Sequence, residues 1–142
     1  MRQLWRMPAG GGQAEQITRF GRCFPIPSPD GKTLYYMKQT GPPVSSLWKV
    51  PAEGGEELLV VNNVLDRCFA LFKNKLYYAA RQSGEQFPSL YSLDLSSNQK
   101  VLIRSLHEPL FYGFAISPDG AAMLCREMDR RECNLMLVND LH

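Results

Sequence analysis

The sequence lacks most of the residue groupings that mark a reactive centre. It holds only two histidines, His107 and His142, and its four cysteines, Cys23, Cys68, Cys125 and Cys133, form no CxxC pair. A structural zinc site needs about four ligands at short paired spacings, so the sequence predicts no metal and no cofactor. Cys23, Cys68 and Cys125 lie beside apolar residues and read as small buried hydrophobes; Cys133 lies in a charged stretch. An excess of one charge is also missing. Sixteen Lys and Arg against fourteen Asp and Glu leave a net charge of +2, too weak to argue for nucleic acid or an anionic membrane as a partner. No apolar run approaches the roughly 20 residues that span a bilayer, so no membrane insertion is expected. The opening "MRQLWRMPAGGG" has no apolar stretch of the kind a signal peptide carries.

What is present is a repeat. The chain of 142 residues is 44% hydrophobic and 21% charged, a globular composition large enough for one core. Tetrapeptides beginning at Leu4, Leu47, Leu90 and Leu135 read "LWRM", "LWKV", "LYSL" and "LMLV", at spacings of 43, 43 and 45 residues. Upstream of these lie "LYYM" from Leu34, "LYYA" from Leu76 and "MLCR" from Met123. Earlier still come "RCFPI" from Arg22, "RCFAL" from Arg67 and "YGFAI" from Tyr112. A fourth set follows the first: "EQIT" from Glu15, "ELLV" from Glu57 and "KVLI" from Lys100. These stretches are short, rich in Tyr, Phe, Val, Ile and Leu, and bounded by Gly, Pro, Ser and Asn, which is the pattern of strands. Four strands of about six residues with short connections give a period of about 40, that of a β-propeller blade. The expected fold is therefore all-β.

The repeat explains two stretches that resemble chemistry. Ser28-Pro29-Asp30-Gly31 and Ser117-Pro118-Asp119-Gly120 each fall between a first and a second strand. Pro presets φ, Asp can bond its own backbone and Gly accepts positive φ, so both are expected to be turns, with Asn74 of "FKNKL" doing similar work in the intervening repeat. Neither tetrapeptide lies in a GxSxG context. "PAGGGQAEQ" from Pro8 lacks the GK[ST] of a phosphate loop, and its partner "PAEGGEEL" from Pro51 occupies the same place in the next repeat. Both are expected to be hairpins between third and fourth strands.

Ser-Pro-Asp-Gly before a strand, followed by "LWKVPAEGG", resembles the bacterial WD-repeat-like propellers of the TolB type, along essentially the whole chain. The closing "NLMLVNDLH" is similar to the last strand of propellers that end bacterial multidomain regulators, where a winged-helix or kinase domain precedes the propeller. No winged-helix or kinase motif occurs in these residues, so neither activity is transferred. The compartment stays open between periplasm and cytoplasm. The strand bookkeeping gives a partial blade over residues 1–20, full blades over 21–62 and 63–104, and an incomplete last blade over 105–142. That is thirteen strands in about three four-stranded antiparallel blades, a partial propeller that does not close alone. Its open flanks would be covered by missing blades of a parent chain or by self-association.

In propellers of this type, two sets of loops share one face. One set is expected at Arg19–Arg22, Asn62–Arg67 and Ser105–Tyr112, the other at "KQTGPPVSS", "RQSGEQFPS" and "REMDRRECN". Arg22, Arg67 and Tyr112 take matching places before the first strands, where they could hold an acidic peptide or a carboxylate. The arginines could equally cap strand ends or pair with neighbours such as Asp66. His107 stands beside Glu108 with no nucleophile placed for it, so it joins the ligand-binding candidates and not a catalytic set. The mixed-charge run Arg126–Glu132 reads as a solvated tip. Trp5 and Trp48 recur at one strand position, which favours packing. The expected function is a non-catalytic sensor or scaffold module with a protein or peptide partner. The alternative is the accessory gating propeller of a serine peptidase whose catalytic domain lies elsewhere.

Overall fold

A computed structural model describes residues 3–19, 23–41, 44–129 and 132–139. Within them the chain is all-β, with twelve strands and no helix. It divides into two compact units, Met1–Asn62 and Asn63–His142. The first holds β1 (Trp5–Arg6), β2 (Glu15–Gln16), β3 (Cys23–Pro27), β4 (Thr33–Gly41), β5 (Val44–Pro51) and the start of β6 (Leu58–Phe72). The second holds the rest of β6, then β7 (Lys75–Ala80), β8 (Ser89–Asp94), β9 (Lys100–Ser105), β10 (Leu110–Ile116), β11 (Ala122–Asp129) and β12 (Glu132–Asn139).

The pairs β1–β2, β3–β4, β4–β5, β6–β7, β7–β8, β8–β9, β10–β11 and β11–β12 are antiparallel between sequence neighbours, as short hairpin connections require. In the first unit β1 pairs with β2, and β3, β4, β5 and β6 follow in order; in the second, β6 to β9 follow in order and β10-β11-β12 form a further sheet. The ladders are open: among the described residues β9 and β12 end their sheets. The one strand fewer than expected comes from β6. Residues 62–67, expected as a loop between blades, lie inside this strand, which bends at Asn63 and Arg67, both at φ 60°. Extended backbone continues through this segment because two left-handed residues suffice to redirect it.

Two other expected loops are also shorter than predicted. "KQTG" belongs to β4 and "REMD" to β11, and the register Asp129↔Glu132 leaves only two residues between β11 and β12. Of these three connections, only that between β7 and β8, residues 81–88, is a long loop. Strands of eight or nine residues replace the six expected, because polar residues at their ends still pair across the ladder.

The turns behave as the repeat predicts. Gly31 N–H donates to the Ser28 carbonyl at 2.8 Å, and Gly120 N–H to the Ser117 carbonyl at 2.8 Å. Ser28 Oγ donates to Asp30 Oδ1 at 2.6 Å, and Lys32 N–H to the same oxygen at 3.0 Å. Ser117, Asp119 and Ala121 reproduce these bonds. Gly31 and Gly120 sit at φ 71° and 76°. The serine is thus a turn-builder, with its hydroxyl bonded inside its own turn. The intervening turn differs from expectation: positive φ falls on Lys73, at 52°, while the Asn74 amide donates to Ser96 Oγ. The two Pro-Ala-x-Gly-Gly hairpins also match. Gly11 and Gly12 have φ 90° and 136°; Gly54 and Gly55 have φ 86° and 138°.

Each unit has its own core. In the first, Leu4, Ile17, Tyr36 and Val50 are buried together, with Leu34 and Trp48 against them. In the second, Leu65, Cys68, Tyr77, Ala79, Leu90, Leu106, Leu110, Met123 and Cys125 form one cluster. A buried side chain of this size stabilises by roughly 1.5–3 kcal/mol. Cys68 and Cys125 are buried, as expected, and burial pushes the Cys68 thiol up to about 12.

Candidate functional site

The first strand of each repeat is irregular near its start. Register slips between Cys23 and Ile26 in β3, between Val64 and Phe69 in β6, and between Phe111 and Phe114 in β10. Positive φ accompanies each slip, at Phe24 (55°), Arg67 (60°) and Gly113 (114°). Only Gly113 is a glycine. A non-glycine residue in this region costs about 1–3 kcal/mol and persists where the surroundings enforce it. Bulges bend a strand and re-aim its side chains, and they concentrate beside binding sites. Of the three positions singled out in the sequence, 67 and 112 stand at these bulges.

The structure places those residues unequally. Arg22 lies outside the described residues. Arg67 is exposed within β6, and its Nε stands 3.8 Å from Asp66 Oδ2, the neighbour anticipated from sequence. At that distance, with 46% of the Arg67 side chain exposed, the pair is a weak surface contact. Tyr112 lies in the β10 bulge, and its side chain is outside the described set. His107 is exposed in the 106–109 connection between β9 and β10. No group of three or more His, Cys, Asp or Glu able to hold a metal occurs among the described residues.

A second feature escaped the sequence reading. In the first unit a groove of about 760 Å3 is lined by Gln16, Ile17, Arg19, Lys38, Trp48 and Glu57, among others. Lys38 Nζ sits 3.4 Å from the centre of the Trp48 ring and 2.7 Å from Glu57 Oε2. Trp48 Nε1–H donates to Ser46 Oγ at 2.8 Å. The equivalent aromatic in the second unit, Tyr91, carries Lys100 Nζ at 3.9 Å and stacks with Tyr78 at 5.6 Å. A cation over an aromatic face is worth about 0.5–2 kcal/mol, according to burial. Lys38 and Lys100 lie in different strands of the repeat, so no fixed spacing announced the arrangement. Trp48 packs as expected; Trp5, at the matching position, is 59% exposed.

Open antiparallel sheets, repeated turns and repeated first-strand bulges define a β-propeller architecture, and solved structures agree. The fold is similar to TolB from Acinetobacter baumannii, with a TM-score of 0.76, 14% identity and coverage of 96% of this chain and 35% of that one. It is similar to a putative TolB from Agrobacterium tumefaciens, with a TM-score of 0.73, 19% identity and coverage of 96% and 51%. The β-propeller domain of the Trilobed protease from Pyrococcus furiosus, described as having an open velcro topology, matches with a TM-score of 0.55, 17% identity and coverage of 90% and 42%. The chain thus spans about a third to a half of the TolB structures it matches. No family model matches the chain, and no curated protein matches it by sequence.

Proposed function

We propose that this chain is part of a β-propeller that serves as a non-catalytic sensor or scaffold module of a larger bacterial protein, taking an acidic peptide or carboxylate at the bulged first strands. This reading rests on the repeat match of Arg22, Arg67 and Tyr112 in the sequence and on the register slips of β6 and β10 in which Arg67 and Tyr112 lie. Rigid strands with locally re-aimed side chains suit recognition, and an arginine fork suits a carboxylate. His107 sits in the connection that leads into the third of these strands and belongs to the same site. The propeller of the Trilobed protease among the neighbours supports the second reading, an accessory gating propeller of a serine peptidase; this chain would still only bind.

Isothermal titration with a short acetylated polyglutamate peptide tests the site. Arg67→Ala and Arg22→Ala are each expected to weaken binding about tenfold, the scale of one lost charged hydrogen-bonding partner. Equal affinity of both variants and the parent chain would remove the site, and no binding to the parent chain would remove the ligand class.

A further inference from the structure

β9 is the fourth strand of its repeat, and among the described residues it ends its sheet. A four-stranded blade leaves the far edge of its fourth strand unpaired. The register fixes which backbone groups face that edge. Asp94 N–H donates to the Gln99 carbonyl at 2.9 Å, so Asp94 and Gln99 face each other as a hydrogen-bonded pair. Such pairs alternate with non-bonded pairs along an antiparallel ladder. Leu93 lies opposite Lys100, Ser92 opposite Val101 and Tyr91 opposite Leu102. Val101 therefore bonds to β8, while Lys100 and Leu102 turn their N–H and C=O groups to the open edge.

The side chains at this edge are apolar on both sides. Val101 is 49% exposed and Leu102 is 54% exposed, and neighbours in a strand point to opposite faces. The preceding repeat carries the same pair at the start of β6, where Leu58 and Leu59 are each 46% exposed. The flanking charges differ. Glu57 precedes Leu58 where Lys100 precedes Val101, and Arg104 is exposed near the other end of β9. The β9 edge is thus an apolar centre between two cations. A second β9 laid against it antiparallel would oppose Lys100 to Arg104, a like-charge pairing that disfavours self-association. An acidic segment is the complement, and Glu57 would repel the same segment from β6.

We propose that the open edge of β9 takes an extended segment of a partner protein as an added strand. Apolar residues of that segment cover Val101 and Leu102, and acidic residues lie near Lys100 and Arg104. The backbone groups of Lys100 and Leu102 supply the hydrogen bonds, and the two cations select the partner. β7 and β8 stand between this edge and the bulge of β6, so the site is distinct from the one proposed at Arg67.

Hydrogen exchange of the full 15N-labelled chain, with and without millimolar acetyl-Glu-Val-Val-Val-Glu amide, tests this. The amides of Lys100 and Leu102 should exchange at least about tenfold more slowly with the peptide, and that of Val101, already bonded to β8, should change little. Lys100→Glu combined with Arg104→Glu should lose this peptide and gain acetyl-Lys-Val-Val-Val-Lys amide. Leu102→Pro should keep the ladder, because its N–H faces away from β8, and abolish the protection at Lys100. If that variant fails to fold, a peptide N-methylated at alternate residues should leave the parent chain unprotected in the same way. No slowing at Lys100 and Leu102, or equal binding of the acidic and basic peptides to the parent chain, would overturn the inference. So would protection of both amides before peptide is added, as a second copy on this edge would give, or slowing confined to Arg67 and Gly113 in the bulged strands.

Discussion

Gly31 and Gly120 occupy the same position of the same turn, with the same hydrogen bonds and φ values of 71° and 76°, yet their surroundings differ sharply. A Cβ added at Gly31 meets nothing within 4 Å, whereas one at Gly120 would stand 2.3 Å from Phe72 Cε1. Alanine at either site takes a left-handed backbone that costs about 1–2 kcal/mol, partly offset by about 0.4–1 kcal/mol from a less flexible unfolded chain. Gly31→Ala should therefore destabilise by about 1 kcal/mol. Gly120→Ala carries the same term and must also displace the Phe72 ring, which packs against the second unit's core. Overpacking of that kind adds about 1–3 kcal/mol. Urea unfolding of both variants measures the difference, and hydrogen exchange of the amides around each turn assigns it to a unit. The steric account also requires that Phe72→Leu relieve the added cost of Gly120→Ala in a double-mutant cycle. Equal losses for the two glycine variants, or no relief from Phe72→Leu, would refute it.

Other outcomes follow from the same geometry. Asp30 and Asp119 are held below the ordinary carboxylate range, first by the Ser28 and Ser117 hydroxyls, and Asp94 first by the Ser97 amide. A depressed folded pKa contributes stability above the unfolded value near 4, lost as pH falls through the lower folded values. The urea midpoint should therefore decline below about pH 4, and the Asp30→Asn, Asp94→Asn, Asp119→Asn triple variant should flatten that decline. Iodoacetamide mapped by mass spectrometry should leave Cys68 and Cys125 unmodified in the native chain and label both in denaturant, since both are 1% exposed and only the thiolate reacts. Lys38 and Glu57 are 21% and 17% exposed; a cycle of Lys38→Met and Glu57→Gln should return a coupling of about 1 kcal/mol, and zero coupling would reduce the pair to a surface contact.

The turns and the repeat period were legible in the sequence because Pro, Asp and Gly have conformational preferences that act locally. The strand lengths were not. Lys38 to Gly41 and Arg126 to Asp129 look like polar loops, yet they pair across hairpins, since ladder hydrogen bonds involve the backbone regardless of side chain. The bend of β6 at Arg67 was hidden for the related reason that arginine carries no intrinsic signal for positive φ; only Gly113 hinted at the bulge shared by the three first strands. The residue types of the candidate site were visible as a repeat-matched Arg, Arg, Tyr set. The groove around Lys38 and Trp48 was not, because its lining comes from segments distant along the chain.

The most direct test of the account is a 1H–15N correlation spectrum of the labelled chain, titrated with the same polyglutamate peptide. The account predicts saturable shifts centred on the bulges of β6 and β10, at the amides of Arg67, Cys68 and Gly113, that are abolished in Arg67→Ala. Shifts confined to the amides of Ile17, Gly54 and Gly55, which border the Lys38–Trp48 groove, would contradict it, as would a spectrum that the peptide leaves unchanged.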